Sequence, residues 1–147
     1  MVSQFNRSVR RRLDDILGEE PTAQRLNMAL RHLAKWRAHL LEQGLVKRSG
    51  ERVLSGPFRG MAYPVRTSEG SRNPRLIGSY EASLAPVIEE IVAGGYETVI
   101  DVGCAEGYYA VGLALRMPQA RVIARDTDPK AHAFCRLMAE ANGVADR

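Results

Sequence analysis

The chain has 147 residues and a mass of 16.3 kDa, the size of one ordinary domain. With 45% apolar and 26% charged residues it has the composition of a folded chain, which excludes a wholly disordered one. Its uncharged apolar runs fall far short of the roughly 20 residues that cross a bilayer, and arginines stand where a signal segment would be apolar.

These counts predict a soluble, cytoplasmic protein. Cys104 and Cys135 show no CxxC or Cys/His metal spacing, so reduced thiols are expected rather than a disulfide scaffold or metal site. The net charge of +4 is unevenly spread. Residues 1–60 hold 12 Lys/Arg against 6 Asp/Glu, whereas residues 61–147 hold 9 against 11. The two parts therefore differ in role.

Phe5, Val9, Leu13 and Ile16 are spaced by four, four and three, which draws one apolar stripe on a first helix. Arg7, Arg10, Arg11 and Arg12 then form its solvated basic face. No aromatic residue interleaves with them as a base-stacking platform would, so nucleic acid is not an expected partner. A second helix is predicted from Pro21 to Gln43, opened by proline and capped by Gly44. Leu26, Ala29, Leu30, Leu33, Trp36 and Leu40 mark its inner face. His32 and His39 share a side of this helix without partners at metal-ligand spacing.

Residues 48–79 are punctuated by Gly50, Gly56, Pro57, Gly60, Pro64, Gly70, Pro74 and Gly78. They read as a connector with short extended pieces at Arg52–Leu54 and Met61–Val65. About thirty residues is long for a structureless loop, so a packed or functional role is expected. The predicted organisation is thus a helical region 1–47, a connector 48–79 and an α/β region 80–147.

From Tyr80 the pattern becomes regular. Leu84, Val87, Ile88, Ile91 and Val92 mark a helix ending at Gly94-Gly95. Thr98–Val102 is β-branched and reads as a buried strand. A glycine-bearing turn leads to a helix over about 107–117, stopped by Pro118. Arg121–Arg125 reads as a second strand, and Asp128-Pro129 opens a last helix that Asn142-Gly143 closes. This alternation predicts a parallel α/β sheet.

The chemistry sits where the first strand hands over to its helix. Gly103 and Gly107 permit a tight turn and close approach of a ligand, and the helix N-terminus favours a negatively charged group. Asp101 can accept hydrogen bonds from a cationic group. Asp126, nineteen residues beyond Gly107, can accept both hydroxyls of a ribose. A nicotinamide dinucleotide site needs outer glycines five apart around a pyrophosphate. Here they are four apart, and Asp101 would repel a pyrophosphate. An ammonium, a carboxylate, a sulfonium and a ribose, as in S-adenosylmethionine, match better. Glu106 reads as a helix-capping residue. Of Tyr108 and Tyr109, one is expected at a ligand mouth and the other in the core.

Residues 97–143 resemble the first βαβα unit of class I, Rossmann-like, S-adenosylmethionine-dependent methyltransferases. Asp101-Val102-Gly103-Cys104-Ala105-Glu106-Gly107 is similar to their glycine-rich motif, and Asp126 to their second acidic motif. Ala105 stands where the family often has glycine. The resemblance implies S-adenosylmethionine as cofactor, with Asp101, Gly103, Cys104, Ala105 and Gly107 holding its methionine moiety and Asp126 its ribose. Residues 56–61 and 78–81 also resemble the approach to that motif in FkbM-like members, which implies Tyr80 and Glu81 near the cofactor. Neither the methyl acceptor nor a catalytic residue is named by this chain.

Only two strands are predicted, whereas the resembled fold has more, including the other wall of the ligand crevice. An incomplete Rossmann-like sheet is therefore expected, with Val99, Ile100 and Val102 only partly covered and strand 1 open at its edge. The expectation is an N-terminal part of a longer methyltransferase. The alternative is a non-catalytic partner whose partial α/β unit is completed by another chain or by an oligomer.

Overall fold

The computed structural model describes residues 4–67 and 70–147. They contain six α-helices and a two-stranded parallel sheet, and so form an α/β fold with a helical N-terminal region. Two compact units divide the chain, Met1–Gly44 and Leu45–Arg147.

In the first unit, helix α1 runs Gln4–Leu17 and helix α2 starts at Ala23. Val9, Leu13 and Ile16 pack with Ala29 and Trp36, as their spacing predicts, whereas Phe5, expected on the same stripe, is exposed. Trp36 donates its indole N–H to Asn6 at 2.9 Å. The α1 C-terminus leaves carbonyls without helical partners, and Arg25 reaches Ile16 O at 3.0 Å and Asp15 O at 3.3 Å. Arg7, Arg10, Arg11 and Arg12 are exposed.

Two expectations for α2 are corrected. It does not stop at Gln43 but runs to Ser49, because Gly44 lies within it and the left-handed residue is Gly50, at φ 69°. Its inner face is also narrower than periodicity suggests. Ala29 is buried and Trp36 half-buried, whereas Leu26, Leu30, Leu33 and Leu40 are exposed. Two helices of a small unit supply too little neighbouring surface to cover a full stripe.

In the second unit, the glycine/proline-rich segment builds much of the core. Val53, Phe58, Met61, Tyr63, Val65 and Leu76 are buried and share one cluster with Ile88, Tyr108, Val111 and Met138. Arg52 and Ala62 form an isolated antiparallel bridge. A short helix that periodicity does not reveal, α3, spans Arg72–Ile77. Ser71 caps its start by accepting from Asn73 N, and Gly78 ends it at φ 86°. Gly78 is also required sterically, since a Cβ there would lie 1.9 Å from Ser55 O.

A single 3-10 turn, Ala82–Leu84, leads into α4, Ala85–Ala93. Strands β1, Thr98–Val102, and β2, Arg121–Arg125, have the bounds their β-branched runs predict. They pair in parallel with Asp101 opposite Ala124 and Val102 opposite Arg125. Helix α5, Tyr108–Arg116, connects them, and α6 follows as Pro129–Ala141, capped by Asp128 accepting from Lys130 N at 2.9 Å. The β1 side chains are poorly covered, Ile100 being 60% and Val102 82% exposed. Among the described residues no helix is long and apolar enough to cross a membrane.

Candidate functional site

The β1–α5 turn is built from backbone that few residue types tolerate. Gly103 has φ 82°, Ala105 φ 47° and Gly107 φ 88°. Positive φ is ordinary for glycine and costs an alanine roughly 1–2 kcal/mol. The turn is anchored to the end of β2, where Gly103 N and Cys104 N both donate to Arg125 O, at 2.8 and 3.0 Å. Gly107 N closes it by donating to Cys104 O at 2.7 Å.

Asp126 clasps this turn from the other strand. One carboxylate oxygen accepts from Ala105 N at 2.9 Å, and the other from Asp128 N at 2.9 Å. These backbone donors, Asp128 first and Ala105 second, hold its carboxyl below the ordinary aspartate range. A carboxylate offers about four lone pairs, so both oxygens keep acceptor capacity beyond the clasp. His132, exposed on α6, places Nε2 2.8 Å from Asp126 O.

Gly103, Ala105 and Asp126 line a cleft of about 650 Å³ together with Ser71, Arg75 and Tyr80. A Cβ on Gly103 would meet nothing within 4 Å, so its bare Cα leaves open space beside the turn. Asp101, one residue from the end of β1, does not line this cleft; it is half-buried, and its Oδ2 is buried without a hydrogen-bond partner. Burial raises its pKa, the Ala110 amide opposes that, and the charge of Asp126 adds to the rise.

The remaining expected residues are placed differently. Cys104 does not line this cleft. Its buried side chain faces a separate cavity of about 640 Å³ shared with Cys135, and burial pushes its thiol up to about 12. Gly107 caps α5 from a buried position where a Cβ would come within 2.7 Å of Cys135 Sγ. Tyr80 reaches the cleft, whereas Glu81 lines an adjoining pocket of about 240 Å³ that Tyr80 also borders.

Glu106 is not the capping residue its position suggests. It is 1% exposed, accepts from Tyr63 Oη at 2.7 Å and pairs with Arg75 Nε at 2.6 Å. Arg75 in turn lies 3.7 Å over the Tyr80 ring. Arg72, also buried, reaches Tyr63 O and pairs with Glu51 at 3.0 Å. Arg75 and Ser71 were not foreseen at the cleft. The signal that could find them is an arginine pair three apart between a capping serine and a terminating glycine. Of the two tyrosines after the turn, Tyr108 is buried in the core and Tyr109 half-buried toward the smaller pocket.

No family model matches the chain, and no solved structure matches it. It is 38% identical over 72 residues to the release factor glutamine methyltransferase of Chlorobaculum tepidum, covering 46% of this chain and 24% of that protein. It is 47% identical over 51 residues to the ribosomal protein L11 methyltransferases of Aeromonas hydrophila and Escherichia coli, covering 35% of this chain and 17% of each. The chain therefore spans about a quarter or less of the curated relatives it matches, and what it shares with them over those stretches is similarity to methyltransferases.

Proposed function

We propose that the Leu45–Arg147 unit binds S-adenosylmethionine for methyl transfer, as a Rossmann-like unit of an S-adenosylmethionine-dependent methyltransferase working in the cytoplasm. The observation that carries this reading is one cleft edged by both Gly103 and Asp126, where bare backbone meets a carboxylate with spare lone pairs. The residues present fit the cofactor's groups. The open turn at Gly103 and Ala105 suits the methionine backbone and Asp126 suits a ribose diol, while the unpartnered Oδ2 of Asp101, buried outside the cleft lining, suits an ammonium donor.

When bound, S-adenosylmethionine supplies a sulfonium methyl group that an acceptor's lone pair takes while the carbon–sulfur electrons remain on sulfur. The chain's own contribution is positioning. Asp126 holds the turn and orients the ligand beside it. Arg75, fixed by Glu106 and stacked on Tyr80, presents a rigid wall rather than a free cation.

Isothermal titration of S-adenosylmethionine into the 147-residue chain tests the reading. Asp126→Ala is expected to abolish measurable binding while far-UV circular dichroism is retained. Equal binding by the variant, or none by the unaltered chain, overturns the proposal.

A second reading is favoured by the open edge of β1, with Val102 82% exposed. In it, the unit is a non-catalytic partner whose sheet is completed by another chain. An obligate complex in size-exclusion chromatography, without binding of the methyl donor, supports this reading over the first.

A further inference from the structure

The smaller pocket beside the cleft has a chemistry of its own. Its volume is about 240 Å³, and its walls include Phe58, Ile88, Tyr80, Tyr108 and Tyr109, with Glu81 among them. Glu81 carries the one carboxyl group lining it among the described residues, and no lysine or arginine lines it. Aromatic faces are electron-rich, so an aromatic-walled pocket carrying one carboxylate is complementary to a cation.

Glu81 is also aimed by its surroundings. Its backbone is left-handed at φ 46° and ψ 46°, an arrangement that costs a non-glycine residue about 1–3 kcal/mol and persists only when neighbours enforce it. Tyr109 Oη donates to its carboxylate at 2.6 Å. One tyrosine hydroxyl, that of Tyr109, thus orients Glu81 and uses only part of its acceptor capacity. Tyr80 borders both cavities, so a group in the pocket lies next to whatever fills the cleft.

From this arrangement we infer that the pocket binds an organic ammonium or amine, with Glu81 as its charge partner and Tyr80 and Tyr109 as its aromatic walls. On the methyl-transfer reading above, on which this part rests, the pocket holds the acceptor and the acceptor is an amine: its ammonium form first gives a proton to solvent, and the freed nitrogen lone pair then takes the methyl group while the carbon–sulfur electrons remain on sulfur. Glu81 then belongs to the acceptor side rather than to the cofactor.

Nuclear magnetic resonance of the isotope-labelled 147-residue chain tests this without any turnover. The probes are n-butylammonium chloride, n-butanol as a neutral molecule of the same shape, and sodium chloride to match ionic strength. Butylammonium is expected to shift the amides of Gly56, Tyr80, Glu81 and Tyr109 at roughly tenfold lower concentration than butanol, as a charge-assisted contact requires. Glu81→Gln is expected to remove that difference, and Glu81→Asp to retain part of it. Equal response to both probes, or an unchanged preference in Glu81→Gln, overturns the inference.

A separate titration with S-adenosylmethionine, read at Gly103, Ala105 and Asp126, keeps the two proposals apart. Ammonium binding without donor binding leaves the pocket standing and removes the methyl-transfer reading. Donor binding without ammonium preference does the reverse.

Discussion

Replacing Glu106 by alanine is the most informative perturbation of this fold. Its carboxylate is 1% exposed and is shared between Arg75, itself 6% exposed, and the Tyr63 hydroxyl. Breaking a buried pair by removing one partner leaves the other charge uncompensated, which costs about 3–5 kcal/mol. Loss of the tyrosine hydrogen bond overlaps with that figure rather than adding to it. A unit of this size has a total stability of about 5–15 kcal/mol, so the substitution removes a large fraction of it. Tyr63→Phe leaves the Arg75 pair intact and is expected to cost about 1.5–3 kcal/mol, as for a hydrogen bond to a charged group. Glu106→Leu combined with Arg75→Met removes both charges and is expected to be less destabilised than Glu106→Ala alone. Urea denaturation followed by tyrosine near-ultraviolet circular dichroism reads all three, because the single tryptophan, Trp36, lies in the other unit. A cost below about 1 kcal/mol for Glu106→Ala would refute the placement of a buried charge pair at the base of the turn.

Gly107→Ala is expected to cost about 1–3 kcal/mol, from contact with Cys135 and a positive φ, whereas Ala105→Gly should be neutral or mildly stabilising. Thermal melts of the two variants check the contrast. Asp126 has a lowered pKa in the folded chain, so its clasp contributes above the ordinary aspartate pKa near 4 and is lost as pH falls below it. The protection factor of the Ala105 amide should fall only in that acid window. At the alkaline end, burial raises the pKa values of Tyr63, Tyr80, Tyr108 and Tyr109. Their contribution is complete below pH 10 or so and is lost as pH climbs toward the raised values. In a Tyr96→Phe variant, which removes the one tyrosine that is 56% exposed, phenolate absorbance is therefore expected to appear together with unfolding, and a gradual rise ahead of unfolding would contradict the packing.

What could be read in advance follows from which interactions are local. Thr98–Val102 and Arg121–Arg125 are β-branched runs bounded by glycine or proline, and Asp128-Pro129 is a capping signal, so strand bounds and the last helix were legible. The β1–α5 turn was legible as well, because glycine spacing is a local feature, whereas the clasp of Asp126 on Ala105 N, which joins residues 21 apart, was not. Helix α3 was not, since it has six residues with Pro74 inside and too few apolar positions to show a period. The burial of Arg75 depends on Glu106, a partner far along the chain that spacing does not reveal. Leu26, Leu30, Leu33 and Leu40 mark the opposite failure, because a correct helical stripe does not say how much surface exists to cover it.

Asp126 carries a consequence for how this site can change over generations. Its carboxylate pins the turn at Ala105 as well as facing the cleft, so any substitution there is judged twice. Lengthening it to glutamate keeps the charge but displaces both oxygens from two fixed amides. A lineage drifting toward a different occupant of the cleft must first acquire another way to hold the turn, which makes the position resistant to single-step innovation. Tyr80 and Glu81, which hold no such double duty toward the turn, are where diversity among variants should accumulate first.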